Sequence, residues 1–494
     1  MKKNKYLLPF MAILLFFSCS DQDEALIQSE SIIENQPKFA GDGKYDLLGF
    51  GYDVTGEHLN SSSTRFQVVD VDAFILANKS SYHEDGSKET ETKIYSGATA
   101  EDFLEEIKTK NKIGTDGSFN IKAVNLGGNL SVSADISKKY TYSSKYSFAR
   151  IDIVKRVKSL ALNTVVEDLT PYLNPNFVKD LDRKTPEQIV ANYGTHVLCD
   201  ISIGARLQFD YRSAITEEQN RTEKKIIVEA GANFNVGLIK AGGTANHELE
   251  IIKERNKKNT TWNLTLKSRG NSHSGIAELY FTNANPPKDL NFQFAEWEKT
   301  AEEKGAALVD INWNRTYPIY EFVSDPIKKQ LIKDVVIKYI AGMQISPLKL
   351  NPMYEMMDPR VNDRFYVYSW EDVMHQQTRE KNEYLGLRGY VLAETAPNTK
   401  PMYQMWDKRG MKDRFYVYSW NEVLEQQSKW KNEYLGIAGY LLVTREENAI
   451  PIYGMLAPTW KDRYFAFSWD FVLSQLKNYN DEYYGLDGYI YPAN

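Results

Sequence analysis

The chain has 494 residues, 42% hydrophobic and 26% charged, and its 60 basic and 66 acidic side chains give a formal charge of −6. That length implies two or three domains at about 150 to 200 residues each, and the composition is that of a globular protein rather than a disordered or multi-span one. The mild acidity gives no sign of a nucleic-acid partner, while aromatics reach 13%, with 32 tyrosines.

Lys2, Lys3 and Lys5 precede an apolar stretch from Tyr6 to Phe17, the pattern of a secretory signal over residues 1–18, too short for a stable span. Phe16-Phe17-Ser18-Cys19 resembles a bacterial lipobox, which implies lipidation of Cys19. Ser20-Asp21-Gln22-Asp23-Glu24 resembles the acidic tag that sends lipoproteins of gut Bacteroidetes to the outer face of the outer membrane. Residues 19–43 then read as a tether between lipid and body. With Cys19 lipidated, Cys199 is the other cysteine, so no disulfide is expected within the mature fold.

In the body, Leu48–Val54 and Phe66–Val71 read as strands, and Ala100–Lys112 as a short helix with Phe103, Leu104 and Ile107 on one face. Residues 118–136 alternate apolar and polar, with Leu130, Val132, Ala134 and Ile136 in one row that Gly127-Gly128 and Asp135 weaken. Arg150–Leu162 is a β-branched, charged run that predicts a long strand.

Pro186–Asn192 predicts a short helix, with Thr185 as N-cap and Pro186 at the first helical position. Tyr193-Gly194-Thr195-His196 turns the chain into a strand in which Val197, Cys199, Ile201 and Ile203 sit two apart, the period of a strand with one buried face. A charged segment, 216–225, leads to the cleanest period-two stripe in the chain: Val228, Ala230, Ala232, Phe234, Val236 and Leu238 alternate with Glu229, Gly231, Asn233, Asn235 and Gly237. Gly242-Gly243 interrupts it, and Thr260–Lys267 is another β-branched strand.

The order is thus strand, amphipathic segment, strand, helix, junction, strand, amphipathic segment, strand. With Tyr193, Gly194, Thr195, His196 and Gly204 in their places, it resembles a membrane-attack-complex/perforin domain over residues 44–345. Val197 stands for that family's second aromatic, and Ala205 for its second glycine. The segment Pro318–Glu321 and a helix over 326–339 resemble the family's closing element. The resemblance implies an α+β fold, a bent four-stranded antiparallel sheet carrying two helical clusters that unfurl into transmembrane hairpins. The 228–238 stripe could also simply pack on the soluble sheet; the resemblance favours insertion. Since Ala tolerates positive φ poorly, Ala205 puts the bend of its strand in question.

Pro352-Met353-Tyr354, Pro401-Met402-Tyr403 and Pro451-Ile452-Tyr453 open three copies of one unit, 49 and 50 residues apart. Each copy continues with Asp-Arg, then Ser-Trp capping a short helix, then a closing glycine-tyrosine strand. Residues 346–494 are therefore expected to form a pseudo-threefold β-rich recognition module. Arg364, Arg414, Arg463, Trp370, Trp406, Trp420 and Trp469 are candidates for stacking on sugars. Residues recurring in all copies suit a shared core, and those that differ, such as Met356, Met405 and Trp406, suit binding.

No enzyme is expected. The histidines at 58, 83, 196, 247, 273 and 375 form no HExxH or i,i+4 pair, so neither metal nor cofactor is expected. His196 follows a turn with no nucleophile in reach and suits a structural role. The expectation is an exported pore-forming protein, monomeric in solution. It would bind a glycan, lipopolysaccharide or outer-membrane-protein receptor on a target membrane, assemble into a homo-oligomer, and act as an antibacterial toxin. The alternative is a non-lytic adhesin or nutrient-capture lipoprotein on the same scaffold.

Overall fold

A computed structural model describes residues 44–113, 143–241, 253, 257–259, 261–270, 278–287, 294–343 and 347–493. Cys19 and the expected signal and tether lie outside them, as do Leu130, Val132, Ala134 and Ile136.

The first domain holds two antiparallel sheets. The smaller joins β1 (Phe50–Tyr52), β2 (Thr64–Gln67), β6 (His196–Leu198) and β11 (Thr316–Pro318) in the order β11-β6-β1-β2. The larger centres on two long neighbours, β5 (Tyr146–Leu162) and β7 (Asp200–Ala214). One edge is a single interrupted row, β3 (Tyr82–Asp85) and β4 (Thr90–Gly97), both paired with β5. Across β7 lie β8 (Thr261–Arg269), followed by β9 (Glu278–Thr282), and β10 (Ala307–Ile311), which continues the row of β8. The rows β3/β4, β5, β7 and β8/β10 are the expected bent four-stranded sheet, and β9 adds a short fifth row beyond β8.

The bend has a local cause. Arg156 pairs with Gly204 and Lys158 with Ile203, so Val157 is an extra residue, a β-bulge that sharpens twist. A Cβ on Gly204 would lie 2.0 Å from the Lys155 carbonyl oxygen, so only glycine fits across the bulge. Ala205 pairs with Lys155 in regular strand and is fully buried, with no positive φ. The doubt attached to it is thereby removed.

The expectation of one buried face after the junction is corrected: Val197, Leu198, Cys199, Ile201, Ser202 and Ile203 are all buried. Val197 and Leu198 belong to the small sheet, and from Asp200 the chain belongs to the large one, with Cys199 at the transfer. Each element therefore has covers on both sides.

On the large sheet, Ile151, Ile153, Leu207 and Phe209 feed one apolar core. The opposite face carries buried ions: Arg206 donates to Asp152 at 2.7 Å and Arg150 to Asp210 at 2.6 Å, across β5 and β7. Breaking such a pair leaves a charge without its partner and costs about 3–5 kcal/mol.

The second domain repeats strand, strand, helix, strand three times. Its strands are β12 (Leu350–Asp358), β13 (Asp363–Val367) and β14 (Glu383–Leu392); β15 (Thr399–Trp406), β16 (Arg414–Val417) and β17 (Glu433–Leu442); and β18 (Ile450–Ala457), β19 (Asp462–Ala466) and β20 (Glu482–Pro492). The first strand of each unit pairs with both others, and β14, β17 and β20 pair with one another to close the ring. Ser369, Ser419 and Ser468 cap the helices, accepting from the amides of Asp372, Glu422 and Phe471. The domains touch: Tyr354 Oη donates to the Thr216 carbonyl at 2.6 Å, and Lys145 Nζ to that of Pro492 at 3.1 Å.

Candidate functional site

The junction is a backbone lock. Thr185 and Gln188 form a capping box on the helix Pro186–Tyr193, which ends at Gly194 with φ +75°. A Cβ on Gly194 would lie 2.6 Å from the Tyr52 carbonyl, and one on Gly51 would lie 1.8 Å from the Tyr193 oxygen. Two glycines thus let two chain segments touch. The Thr195 amide donates to the Tyr52 carbonyl at 2.9 Å, and the Thr195 hydroxyl accepts from the Val54 amide at 3.1 Å. His196 is fully buried, with Nδ1 3.0 Å from the Thr195 hydroxyl and its ring edge-on to Trp313. Tyr193 reaches Asp180 at 2.9 Å. These residues form a joint between sheets, and His196 has no access to a substrate.

The period-two stripe is not a strand here. Residues 228–238 lie within the helix Arg221–Lys240, whose cap, Asn220, accepts from the amides of Thr222 and Glu223. Burial runs in pairs four apart, at Ile227-Val228, Gly231-Ala232 and Asn235-Val236, and Ile239 follows. Ala230, Phe234 and Leu238 are only half-buried. Residues two apart include residues four apart, so alternate members of the stripe, Val228, Ala232 and Val236, share one helical face. That face packs on Ile151, Ile153, Leu207 and Phe209. Burying Ile227, Val228, Val236 and Ile239 contributes about 1.5–3 kcal/mol each.

Polar ties add to this grip. Ser96 donates to Glu229 at 2.9 Å, Lys225 pairs with Glu106, and Asn259 donates to the Ile227 carbonyl at 3.2 Å. Asn235 is the misfit: it is 1% exposed, it donates to the Gly231 carbonyl, and its Oδ1 has no donor. Among the described residues no helix is long and apolar enough to cross a membrane.

In the second domain Trp370, Trp420 and Trp469 occupy one position in three copies of an aromatic cluster, each packed edge-on or tilted against two tyrosines: Tyr354 and Tyr384, Tyr403 and Tyr434, Tyr453 and Tyr483. Arg364 lies over Tyr464, Arg414 over Phe365 and Arg463 over Phe415, each reaching into the neighbouring unit, and Arg414 also lies over Trp406 of its own unit. Six of the seven candidates therefore serve the repeat's own architecture, although Trp420 and Trp469 stay about half exposed. Met356 and Met405 are fully buried, which corrects the expectation that they bind.

What the sequence reading missed is a groove of about 1050 Å³ between the second and third units, lined by Tyr418, Trp430, Tyr464, Tyr484 and Asp487. Gly454 opens it, standing where the other units carry Glu355 and Gln404; Asp487 stands where the first unit has Arg388, the partner of Glu355. Trp430 and Tyr484 are 54% and 59% exposed. Burial raises the Asp487 carboxyl to about 6, opposed by a hydrogen bond from Tyr418. The available signal was inequality among the copies: Trp430 replaces Glu380 and Tyr479, and Tyr484 replaces Leu385 and Leu435.

Asp363, Asp413 and Asp462, one from each unit, converge, with one oxygen of each within 4.8 Å of the other two. Burial and the neighbouring carboxylate hold the Asp413 carboxyl well above its ordinary range, and burial pushes Asp462 up to about 7.

Comparison with known proteins places these observations. The MAC/Perforin domain family matches residues 38–349, and a domain of unknown function, DUF5648, matches residues 352–483. No curated protein matches the chain. A putative cell invasion protein with a MAC/Perforin domain from Bacteroides thetaiotaomicron is similar at 16% identity and a TM-score of 0.48, over 68% of this chain and 69% of that one. GNIP1Aa from Chromobacterium piscinae is similar at 14% identity and a TM-score of 0.47, over 72% of this chain and 65% of its own length.

Proposed function

The chain belongs to the MAC/Perforin family, and on that premise we propose that it is an exported, non-enzymatic pore-forming protein that acts as an antibacterial toxin. Cys19 anchors it to an outer-membrane surface until it meets or is released toward its target. Residues 346–494 bind a surface glycan, with the groove at Trp430 and Tyr484 as the contact. Subunits then assemble side by side, and two segments per subunit become hairpins, one drawn from 228–238 and one from the row Leu130, Val132, Ala134 and Ile136.

Physical necessity links these steps. Inside a bilayer every backbone amide and carbonyl needs a protein partner, so inserted strands must close into a barrel. Two hairpins from one subunit cannot close a wide one, so oligomerisation is required. About 9–11 tilted residues span the hydrocarbon, so 228–238 supplies one strand of its hairpin.

The observation that carries the reading is the double periodicity of the helix Arg221–Lys240. Its buried pairs recur every four residues, while the apolar residues from Val228 to Leu238 recur every two. One sequence thus suits a docked helix and a strand with a lipid row and a water row. The test is dye release from vesicles carrying target outer-membrane lipids and glycans, with ring-shaped oligomers sought by electron microscopy. Leakage with rings is expected. Binding without leakage or rings at any concentration would overturn insertion and leave the non-lytic adhesin.

A further inference from the structure

The Asp-Arg dipeptide that marks each repeat brings three carboxylates to the axis of the second domain. Asn362, Lys412 and Lys461 adopt left-handed backbone at φ of +54° to +57°, and the residue after each is Asp363, Asp413 or Asp462. Two of the aspartates reach into a neighbouring unit. The Arg364 amide of the first unit donates to Asp462 Oδ1 of the third at 3.1 Å, and the Arg463 amide of the third donates to Asp413 Oδ2 of the second at 2.9 Å.

The arginine side chains that follow these aspartates are turned aside. Their guanidinium groups lie over Tyr464, Phe365 and Phe415 at 4.6, 4.4 and 4.7 Å. Arg463 makes a long ion pair with Asp413, Nη1 to Oδ2 at 3.8 Å and beyond hydrogen-bonding distance, and another with Asp407 at 3.7 Å.

The second, separate observation is an orphaned oxygen. The Asp413 side chain is 1% exposed, and its Oδ1 has no hydrogen-bond donor. Asp363 Oδ1 has none either, and an oxygen of each carboxyl lies within 4.8 Å of the other. Two facing carboxylates, Asp413 buried and Asp363 half-buried, call for a proton or a cation between them.

Size favours a cation of a particular class. Three oxygens no more than 4.8 Å apart have a centre about 2.8 Å or less from each. Calcium–oxygen bonds run about 2.3–2.6 Å, which a contraction of a few tenths of an ångström reaches; magnesium, at about 2.0–2.1 Å, demands a tighter and more regular cage. Three carboxylates binding through one or both oxygens supply three to six of calcium's six to eight ligands.

We propose that Asp363, Asp413 and Asp462 form a calcium site on the pseudo-threefold axis, where one ion ties the three units together and sets the walls of the groove between the second and third. The ligands come from all three units, so the site exists only when the ring is closed. The site involves none of the residues proposed to insert, and it stands whether or not the protein makes pores.

The test uses the full chain after chelation, with thermal unfolding and titration calorimetry against calcium at about 1 mM, the affinity scale of extracellular calcium modules. One ion per chain is expected, with a rise in unfolding temperature from mass action and a weaker response to magnesium. Asp413→Asn should abolish the rise. Asp363→Asn, at the more exposed ligand, should weaken binding at least about tenfold, which keeps the test open if the first variant does not fold. Silence of the wild-type protein to calcium would overturn the proposal, leaving a shared proton in the cluster, as would an undiminished response in both variants.

Discussion

Asn235 gives the sharpest test of helix release. Its side chain is buried in the docked helix with Oδ1 lacking a donor, yet it belongs to the polar row with Asn233. An unsatisfied buried polar group costs about 1–3 kcal/mol, against which Asn235→Leu, with the same branching and number of side-chain heavy atoms, loses the bond to the Gly231 carbonyl. The variant should therefore gain about 1–2 kcal/mol in the soluble form. Thermal unfolding should rise by about 2–4 °C per kcal/mol, the scale for domains of 150–250 residues. In a barrel, the same leucine would face water, so both ends of the reaction shift toward the soluble state. If undocking limits insertion, leakage slows about tenfold for each 1.4 kcal/mol. Asn233→Leu is the comparison, because position 233 is only half-buried in the helix. It should leave the unfolding temperature nearly unchanged. A raised unfolding temperature in Asn235→Leu with an unchanged leakage rate would refute helix release as the controlling step, and a lowered one would refute the assignment of the misfit.

Gly194→Ala should cost about 1–3 kcal/mol for its φ of +75° alone, and more for a Cβ 2.6 Å from the Tyr52 carbonyl; the urea midpoint measures it, and an unchanged midpoint would contradict the locked junction. His58 is held neutral, its pKa well below the ordinary 6.5 through burial first and then the charges of Arg206, Arg150 and Lys93. Its contribution is complete above the unfolded value near 6.5 and is lost as pH falls toward the folded one, with a slope of up to about 1.4 kcal/mol per pH unit. His58→Phe should flatten that part of the stability profile below about pH 6.5, and an identical profile would discount the histidine. In the groove, Trp430→Ala should weaken glycan binding by about 1–2 kcal/mol, roughly five- to thirtyfold in Kd, with unfolding unchanged. Wild-type affinity in this variant on a glycan array would exclude the groove as the contact.

Local rules made some elements legible. Thr185, Pro186 and Gln188 announce a helix start whose capping box is present, and the three Ser-Trp dipeptides announce three helix caps. The 228–238 stripe was ambiguous for a geometric reason: every second residue in a strand includes every fourth in a helix, so periodicity alone could not give the soluble state. The transfer between sheets at Cys199 was hidden because burial on both sides erases the alternation that marks a single covered face. Asp363, Asp413 and Asp462 were visible as repeat markers, but their meeting depends on closure of units 49 and 50 residues apart. The groove likewise depends on a cavity made by Gly454 in one unit and aromatics in two.

Closure of the second domain has a consequence for how the protein is made. In a linear repeat array, terminal units can be peeled away and folding can start anywhere. Here Gly389 and Tyr390 of the first unit pair with Pro492 and Tyr491 in β20, while Leu442 of the second pairs with Tyr489. The first unit cannot complete its pairing until nearly the whole domain has emerged from the ribosome. Until then, β14 presents an open edge. Truncation within β20 should therefore leave no two-unit remnant but a domain without its seam, exposed to chaperones and proteases.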